Sequence, residues 1–346
     1  MLRESVSPRI FNNWKMQTEN TDKAASELLE SNYVDGFQFP VHFPVEAFRS
    51  ALQYKPIPDD LFIVTYPKCG TTWAQEILLL LFRQGEPLLS PIEFFTATPF
   101  LDTVGAKSAE DMPRPNAIKT HLPFHLIPWS EQAKYIYIAR NPKDCCVSYF
   151  HHMTNIPPYG FKGDFDQYFE FFLSGKIDYE DYFNHLIGWY EHRNDPNVLF
   201  LTYEEMKENT ETSILKMASF IDEERYAQPL RKDRNKLNNV LKYSSFQCMK
   251  EAATKRMEEL ISIPREEILN SNLSQLAKIR LIREREEVGI KKRQGNPELF
   301  RNVRKGVIGD WKSYFSDEQN KRMDEKFTER TKGTDIESLW KTTCDS

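Results

Sequence analysis

The chain has 346 residues, of which 40% are hydrophobic and 13% aromatic, so it can bury a core for one large domain or two ordinary ones. Its formal net charge of −5 and the lack of a long basic block argue against a nucleic-acid partner. The first residues lack the apolar core of a signal peptide, and the apolar run at 77–82 is too short to cross a membrane. We therefore expect a cytoplasmic protein that does not bind membranes. Five cysteines without a CxxC spacing predict reduced thiols and no metal site.

The predicted elements begin with a polar N-terminal arm over residues 1–32, which we expect to hold a helix and a loose segment. From about residue 58, short β-type runs alternate with helical stretches. The β-type runs lie at 61–66, 116–123, 134–140 and 198–206, and helical examples lie at 166–175 and 180–193. This alternation predicts an α/β fold, in which one domain over 33–346 has a central parallel sheet flanked by helices.

A highly charged stretch at about 247–300 has a mostly helical pattern. One interpretation is a solvated helical excursion from the domain. The other is a mobile lid or a partner surface.

Four polar residues follow the predicted strands at their carboxyl ends: Lys68, His121, Arg140 and Tyr203. In open α/β sheets this edge forms the ligand crevice. The sequence therefore predicts a binding site where these side chains meet.

The segment TYPKCGTTW, at 65–73, joins a strand to a helix that we expect to begin near Trp73. Gly70, Thr71 and Thr72 lead into that helix, where free N–H groups and the helix dipole favour an anion. Lys68 adds a positive charge. The turn is P-loop-like but lacks the order GxxxxGK[ST] of a nucleotide-binding loop. An ordinary turn with a surface lysine is the competing interpretation.

The segment KTHLP places Lys119 and His121 two residues apart on an extended stretch, so both point to one side. Histidine is the natural base near neutral pH, and a lysine beside it can stabilise developing negative charge. A structural histidine is the alternative.

The segment RNPKDCCVSYF places Arg140 at the end of a strand and Ser148 on the following helix. The planar fork of an arginine suits a phosphate. Alternatively, Arg140 caps the sheet or pairs with Asp144.

The segment RKGVIGDWK offers two cations, Arg304 and Lys305, followed by Gly306. Such a loop can wrap an anion with side chains and backbone amides. Basic loop residues are common, so this motif is weak by itself.

In four segments, occurring in the family's order, the chain resembles the cytosolic sulfotransferases: TYPKCGTTW, KTHLP, RNPKDCCVSYF and RKGVIGDWK. The resemblance covers roughly residues 33–332 and is interrupted by extra residues within 247–303. It implies the sulfonate donor 3′-phosphoadenosine 5′-phosphosulfate, the product adenosine 3′,5′-bisphosphate (PAP), and no metal. It also implies sulfonate transfer to a hydroxyl or amine of a small acceptor, such as a phenol, a hydroxylated amine or a steroid.

The resemblance further implies a role for individual residues. His121 would act as the base, assisted by Lys68, Lys119 and Ser148. The implied donor-binding residues are Lys68, Cys69, Gly70, Thr71, Thr72, Trp73, Arg140, Ser148, Tyr203, Ser244, Phe246, Arg304, Lys305 and Gly306. The implied acceptor-binding residues are Phe37, Phe100, Lys119, His121 and His152.

The sequence departs from the family pattern at three places. Cys69 stands where serine is usual, and Asn302 stands where an aromatic residue is usual. The family's dimerisation motif aligns with 312–321, where the chain reads KSYFSDEQNK. A homodimer is therefore possible, but its usual contact is degenerate.

Three other functions compete with this one. A P-loop phosphotransferase would need a Walker lysine and a Mg²⁺ ligand, and neither stands in the expected context. A member that only binds a nucleotide or an apolar signal molecule is disfavoured by the intact Lys68, Lys119, His121 and Ser148. A Golgi sulfotransferase acting on glycans or proteins would usually carry a membrane anchor, which we do not recognise in the sequence.

Overall fold

The computed structural model describes residues 29–87, 91–159, 161–293 and 304–340. Its strands are β1 (Ser31–Val34), β2 (Phe37–Pro40), β3 (Leu61–Thr65), β4 (Ala117–Thr120), β5 (Lys134–Ala139) and β6 (Val198–Thr202). The last four form a parallel sheet in the order β4–β3–β5–β6. Each of the four predicted β-type runs contains one of these strands, and the expected α/β architecture is confirmed.

The central sheet is covered on both faces. All five residues of β3 are buried, and their side chains alternate between two hydrophobic cores. Phe62 and Val64 belong to one core, whereas Leu61 and Ile63 belong to the other. Continuous apolar runs are typical of parallel strands covered on both faces. Because the four strands are parallel, their carboxyl ends meet at one edge, as the sequence predicts.

A hairpin of β1 and β2 precedes the sheet and pairs antiparallel. Its turn is Asp35–Gly36, with both residues at positive φ (52° and 86°), which is the conformation that Asp-Gly favours between two strands. β1 begins at Ser31, inside the predicted N-terminal arm, and residues 1–28 of that arm lie outside the described residues.

The helices pack around this framework, and α2 follows β3 directly. In chain order they are α1 (Val45–Leu52), α2 (Thr71–Phe82), α3 (Pro91–Ala97), α4 (Leu101–Glu110), α5 (Pro142–Asn155), α6 (Phe165–Ser174), α7 (Tyr182–Tyr190), α8 (Tyr203–Glu208), α9 (Thr210–Asp222), α10 (Gln228–Lys232), α11 (Arg234–Tyr243), α12 (Phe246–Ser262), α13 (Arg265–Asn270), α14 (Gln275–Arg293) and α15 (Asp317–Thr331). Short 3₁₀ turns and one π-helical turn (Glu223–Ala227) complete the described elements. Among the described helices, none is long and apolar enough to span a lipid bilayer.

The charged stretch at about 247–300 contains most of α12, together with α13 and α14. These helices share a small core of their own, which includes Leu260, Ile268 and Leu281. The stretch also packs on the main body, because Ser274 Oγ lies 2.6 Å from Ser108 Oγ of α4. The part of this stretch beyond residue 293 lies outside the described residues. That it is an insertion in the domain stays a prediction.

The segment aligned with the dimerisation motif, 312–321, runs from the end of a 3₁₀ turn (Asp310–Ser313) into the first residues of α15. Ser316 caps this helix by accepting a hydrogen bond from the Gln319 N–H, and the Gln319 side chain accepts one from Ser316 N–H. This capping box gives the serine a local role. The homodimer stays a prediction.

Candidate functional site

A cavity of about 540 Å³ lies at the carboxyl edge of the sheet and gathers most of the predicted site residues. Those that line it are Lys68, Gly70, Thr71, Thr72, Trp73, Phe100, Lys119, His121, Arg140, Ser148, His152, Tyr203, Ser244, Phe246, Arg304, Lys305 and Gly306. They come from segments far apart in the sequence. The parallel sheet brings them together because successive strands end at the same edge.

Two predicted site residues lie elsewhere, and both differ from the sequence prediction. Phe37 is buried in β2, where its ring stacks on Phe48 (5.9 Å between centroids) in the hydrophobic core. Cys69 is fully buried behind the loop, with its Sγ 3.6 Å from Cys145 Sγ. The alternation of side chains along a tight turn explains the second case, since Lys68 and Gly70 face the cavity and the thiol between them faces the core.

Gly70 forms the turn at the start of α2 that the sequence predicts to bind an anion, named here the anion-binding turn. Its φ of 97° favours glycine, and a Cβ at this position would lie 2.9 Å from Tyr203 Cδ2. No side chain caps the helix, which begins at Thr71 rather than near Trp73. The first N–H groups of α2 therefore remain available to an anion in the cavity.

Lys68 has an uncommon backbone conformation and a lowered side-chain pKa. Its φ is 72°, which is uncommon for a residue with a side chain, and its carbonyl accepts a hydrogen bond from Arg140 Nη1 (3.0 Å). Burial lowers the pKa of Lys68 to about 7, and repulsion from Arg140 and Lys119 contributes. An anion in the cavity would relieve this repulsion and raise the pKa.

Lys119 lies across the cavity, on β4. Its Nζ is 4.3 Å from the centroid of the Phe100 ring, a cation–π distance. Burial lowers the pKa of Lys119 to about 8, and repulsion from the nearby Arg280 contributes to the shift. Near neutral pH this lysine is still mostly charged.

The geometry around His121 fixes which of its nitrogens can act as a base. Nδ1 lies 2.8 Å from the Thr65 carbonyl oxygen, which only accepts hydrogen bonds, so Nδ1 carries the proton. Nε2 then holds a lone pair. Burial lowers the pKa of His121 well below its ordinary value, and Lys119 adds to the effect. The imidazole is therefore neutral and able to accept a proton at Nε2.

Asp102 positions the chain around His121 and was not identified from the sequence. Its carboxylate accepts hydrogen bonds from Thr120 Oγ1 (2.6 Å), the His121 N–H (3.0 Å) and Tyr179 Oη (2.8 Å). The Tyr179 ring packs edge-on against the His121 ring, with 5.3 Å between centroids. An aspartate in a helix between two motifs carries no local sequence signal for this role.

Thr65, the last residue of β3, links the base to the anion-binding turn. Its carbonyl binds His121 Nδ1, and its Oγ1 lies 2.6 Å from Thr71 Oγ1 at the start of α2. The two halves of the site are therefore connected through one residue.

Arg140 lies deep in the cavity, and its guanidinium is 4.5 Å from the Tyr203 ring centroid. Its Nη1 and Nη2 donate to the carbonyls of Lys68 (3.0 Å) and Val307 (3.4 Å). Its Nε and the Trp73 Nε1 are buried without a hydrogen-bond partner among the described residues. Buried donors without partners are uncommon, and both are located where the predicted donor would supply acceptors.

The basic loop at 304–306 closes the cavity opposite α2. Arg304 and Lys305 both pair with Asp310, the second with 2.7 Å between Nζ and Oδ1. Gly306 has a φ of 66°, and a Cβ there would clash with the Phe246 ring at 2.4 Å. Asp310 was missed in the sequence and partly neutralises the two cations.

Asp144 anchors the same loop. Its carboxylate accepts hydrogen bonds from the backbone N–H groups of Gly309 (2.7 Å) and Trp311 (3.1 Å). These contacts favour a loop-fixing role for Asp144 over the alternative of a pair with Arg140.

One face of α14 forms a wall of the cavity on the side of Lys119. The residues on it follow a helical spacing: Leu276, Ile279, Arg280, Arg283, Glu284 and Glu287. Arg280 Nη1 donates to Thr103 Oγ1 of α4 (3.2 Å), and Arg283 Nη1 donates to the His42 carbonyl (2.7 Å). These contacts hold the charged helix against the cavity. Further residues that the sequence did not indicate complete this side: His42, Phe43, Ile156 and Tyr159.

The cavity can therefore bind a polyanion on one side and activate a hydroxyl on the other. Lys68 and Arg140 lie near the anion-binding turn. His121 and Lys119 lie on the other side, against the ring of Phe100. Within the described residues, no group of three or more His, Cys, Asp or Glu side chains converges as a metal site.

Comparison with protein families gives a direct match. A family model described as a sulfotransferase domain matches residues 58–279. The amine sulfotransferase of Oryctolagus cuniculus is 31% identical over 82% of this chain and 84% of its own length. Sulfotransferase 1B1 of Canis lupus familiaris is 32% identical over 82% of this chain and 88% of its own length.

Solved structures give the same picture. A crystal structure of mouse sulfotransferase SULT7A1 complexed with PAP has a TM-score of 0.65 at 29% identity, covering 91% of this chain and 99% of that one. A retinol dehydratase in complex with androsterone and PAP has a TM-score of 0.63, covering 92% of this chain and 96% of that one. At 20% identity, the second likeness shows a shared fold.

Proposed function

The chain belongs to the sulfotransferase family and is a transferase of sulfur-containing groups, and on this premise we propose that it moves a sulfonate from 3′-phosphoadenosine 5′-phosphosulfate to a hydroxyl of a small acceptor, with His121 as the base. The observation that carries the proposal is the cavity itself. It joins a cation-rich anion site around Lys68 and Arg140 to a neutral histidine, His121, whose Nδ1 proton is held by the Thr65 carbonyl. PAP bound to mouse SULT7A1 supports the identity of the donor.

The residues of the cavity fit this donor. The buried Arg140 Nε and Trp73 Nε1 lack partners among the described residues, and Gly70 and Gly306 occupy positions where a Cβ would clash. The free N–H groups at the start of α2 and the hydroxyls of Thr71 and Thr72 hold the 5′-phosphate. Arg140 and Ser148 hold the 3′-phosphate, and Arg304, Lys305 and Gly306 close over it. Trp73, Tyr203, Ser244 and Phe246 enclose the adenine.

The donor, when bound, supplies an activated sulfonate and a stable leaving group, and the chain supplies position and charge. Nε2 of His121 takes the proton from the acceptor hydroxyl as the new bond forms. Lys119 would stabilise the charge on the sulfonate as its bond to the phosphate oxygen breaks and its bond to the acceptor oxygen forms. Lys68 donates to the leaving oxygen, so that the departing phosphate is neutralised without a metal.

The test is isothermal titration with PAP, with ATP as the control, in buffers with and without Mg²⁺. We expect metal-independent binding of PAP that Arg140→Ala abolishes. A sulfonate-transfer assay with phenols, hydroxylated amines and sterols then checks the reaction. Preference for ATP with Mg²⁺, or no binding of either nucleotide, would contradict the proposed donor.

We also propose that the stretch of α12–α14 shapes the acceptor side, since α14 provides a wall of the cavity beside Lys119. The class of acceptor then depends on the charged side chains of that wall.

A further inference from the structure

The side chain of His152 contacts that of Lys68. The sequence predicts that His152 binds the acceptor, and that role does not account for this contact. His152 lies on α5, four residues after Ser148, and lines the cavity. Its Nδ1 is 3.3 Å from Lys68 Nζ. When Lys68 is charged, its ammonium group can only donate, so Nδ1 accepts and the proton of the neutral ring belongs on Nε2.

The imidazole remains an acceptor at physiological pH. Burial lowers the pKa of His152 well below its ordinary value, and four charged or titratable groups around it lower it further: Lys68, His121, Lys119 and His42. Its ring packs against Tyr159, with 4.8 Å between centroids. A neutral ring held by a neighbouring ring is a fixed acceptor.

Lys68 needs such an acceptor. Its surroundings are mostly repulsive, since Arg140, Lys119 and Arg304 lower its pKa and Cys145 raises it. Among the described residues, His152 provides the hydrogen-bond acceptor for the Lys68 ammonium. A long lysine side chain without this contact would lose both a fixed position and part of its charge.

We propose that His152 is a positioning residue for Lys68: its Nδ1 takes one N–H of the ammonium, keeps the group charged, and leaves two N–H bonds for the departing phosphate. This inference rests on the proposed function. It assigns to His152 a role in the departure of the leaving group rather than in the choice of acceptor.

The direction in which the pH profile of activity should shift follows from the charge of Lys68. Lys68 acts as a cation, so activity falls as pH rises through its pKa. Removing an acceptor from an ammonium lowers that pKa, so the alkaline limb of the pH profile moves to lower pH. A hydrogen bond to a charged group is stronger than one between neutral groups, so its loss should be visible as a change in the pKa of Lys68. We expect a shift of about one pH unit.

The test compares three exchanges at position 152 by the pH dependence of kcat/KM for the donor. His152→Phe keeps a ring and removes the acceptor. His152→Gln keeps a polar side chain but places its oxygen at the Nε2 position. Both should move the alkaline limb down by about one unit, with kcat/KM at pH 8 falling about tenfold. His152→Asn places an oxygen at the Nδ1 position and should keep the wild-type limb.

The neighbouring His151 supplies the matched control. Its Nε2 lies 2.8 Å from Tyr314 Oη, and it does not line the cavity, so His151→Phe should leave the limb in place. An unchanged limb in both His152→Phe and His152→Gln, or an equal shift in His152→Asn, would overturn the inference while the wild type still transfers sulfonate. A wild type that neither binds PAP nor transfers sulfonate would instead overturn the proposed function, and the inference with it.

Discussion

The two sides of the cavity are formed by different kinds of secondary structure. The side proposed to bind the donor, the donor side, consists of strand ends and tight turns, where the parallel sheet fixes Lys68, Gly70 and Arg140. The side proposed to bind the acceptor, the acceptor side, includes a face of α14, which reaches the cavity from a charged helical stretch. The geometry of the donor side can therefore be predicted from local sequence motifs. The geometry of the acceptor side depends on how α14 packs against the rest of the domain.

Replacing His121, the proposed base, should have the largest effect and would show that the chemistry lies between the two sides. His121→Asn keeps a donor for the Thr65 carbonyl but has no basic nitrogen. Loss of a general base typically lowers the rate by about 10²–10⁴-fold. We expect kcat to fall within that range while the affinity for PAP stays unchanged.

The control is His125→Asn, which makes the same exchange at an exposed histidine outside the cavity. Rate assays and PAP titrations on both variants, with thermal melts to verify folding, check the prediction. A His121→Asn enzyme that turns over at the wild-type rate would remove His121 from the mechanism.

A second exchange tests whether the donor side needs the shape of arginine or only its charge. Arg140→Lys keeps the charge but removes the planar fork, and therefore the contacts of Nη1 and Nη2 with the Lys68 and Val307 carbonyls. We expect PAP to bind about tenfold more weakly, because one charge-assisted hydrogen bond contributes about 1.5–3 kcal/mol.

The matched control for that exchange is Arg193→Lys. Arg193 also lies over a tyrosine ring, 4.0 Å from the centroid of Tyr190, but it does not line the cavity. Calorimetric titration of PAP into both variants decides the matter. Equal affinities for Arg140→Lys and the wild type would mean that charge alone suffices on the donor side.

The sequence predicted most of the donor side because its signals are local. A buried strand, a glycine turn and a helix start are neighbours in the chain, and parallel strands bring successive turns to one edge. The sequence missed Asp102 and Thr65, which act through hydrogen bonds that only the tertiary structure creates. It also placed Phe37 in the pocket, whereas pairing in the β1–β2 hairpin turns that ring into the core.

The acceptor wall could not be predicted, since α14 presents a mixed face to the cavity. Apolar Leu276 and Ile279 are followed on that face by charged residues such as Arg280 and Glu284. Hydrophobic periodicity identifies faces that pack in a core, and a charged face that lines a cavity gives no such signal. Asn302, a predicted departure from the family pattern, lies outside the described residues.

An exchange on α14 should change the preference among acceptors and leave the KM for the donor unchanged. Arg280 lines the cavity, lies near Lys119 and contacts Thr103, and we expect its charge to act on the tail of an acceptor. Arg280→Gln removes one positive charge, an interaction of about 1 kcal/mol at a partly solvated site, or about fivefold. We expect kcat/KM to rise about fivefold for tyramine and to fall about fivefold for 4-hydroxyphenylpropionate, each relative to 4-ethylphenol, so the ratio of the two charged acceptors should change by about 25-fold.

These three acceptors share a phenol and differ in the charge of the tail. The ratios of their kcat/KM values therefore separate the electrostatic effect from the effect of shape. Arg285→Gln is the control on the same helix, because Arg285 Nε donates to the Ile263 carbonyl (2.8 Å) and does not line the cavity. A change in the KM for the donor, or an equal effect of both exchanges on the ratio, would count against a separate acceptor wall.

The smallest effect should come from Cys69, although it stands in the middle of the anion-binding loop. Its thiol faces Cys145 (3.6 Å between sulfurs) and is fully buried, so Cys69→Ser changes an atom behind the loop and not its cavity surface. We expect the KM for the donor to change less than twofold, whereas Thr72→Ala, on the cavity side, should raise it several-fold through a lost hydrogen bond to a charged group. Initial rates at varied donor concentration compare the two. A Cys69→Ser effect as large as that of Thr72→Ala would mean that the packing behind the turn, and not only its exposed surface, controls binding of the donor.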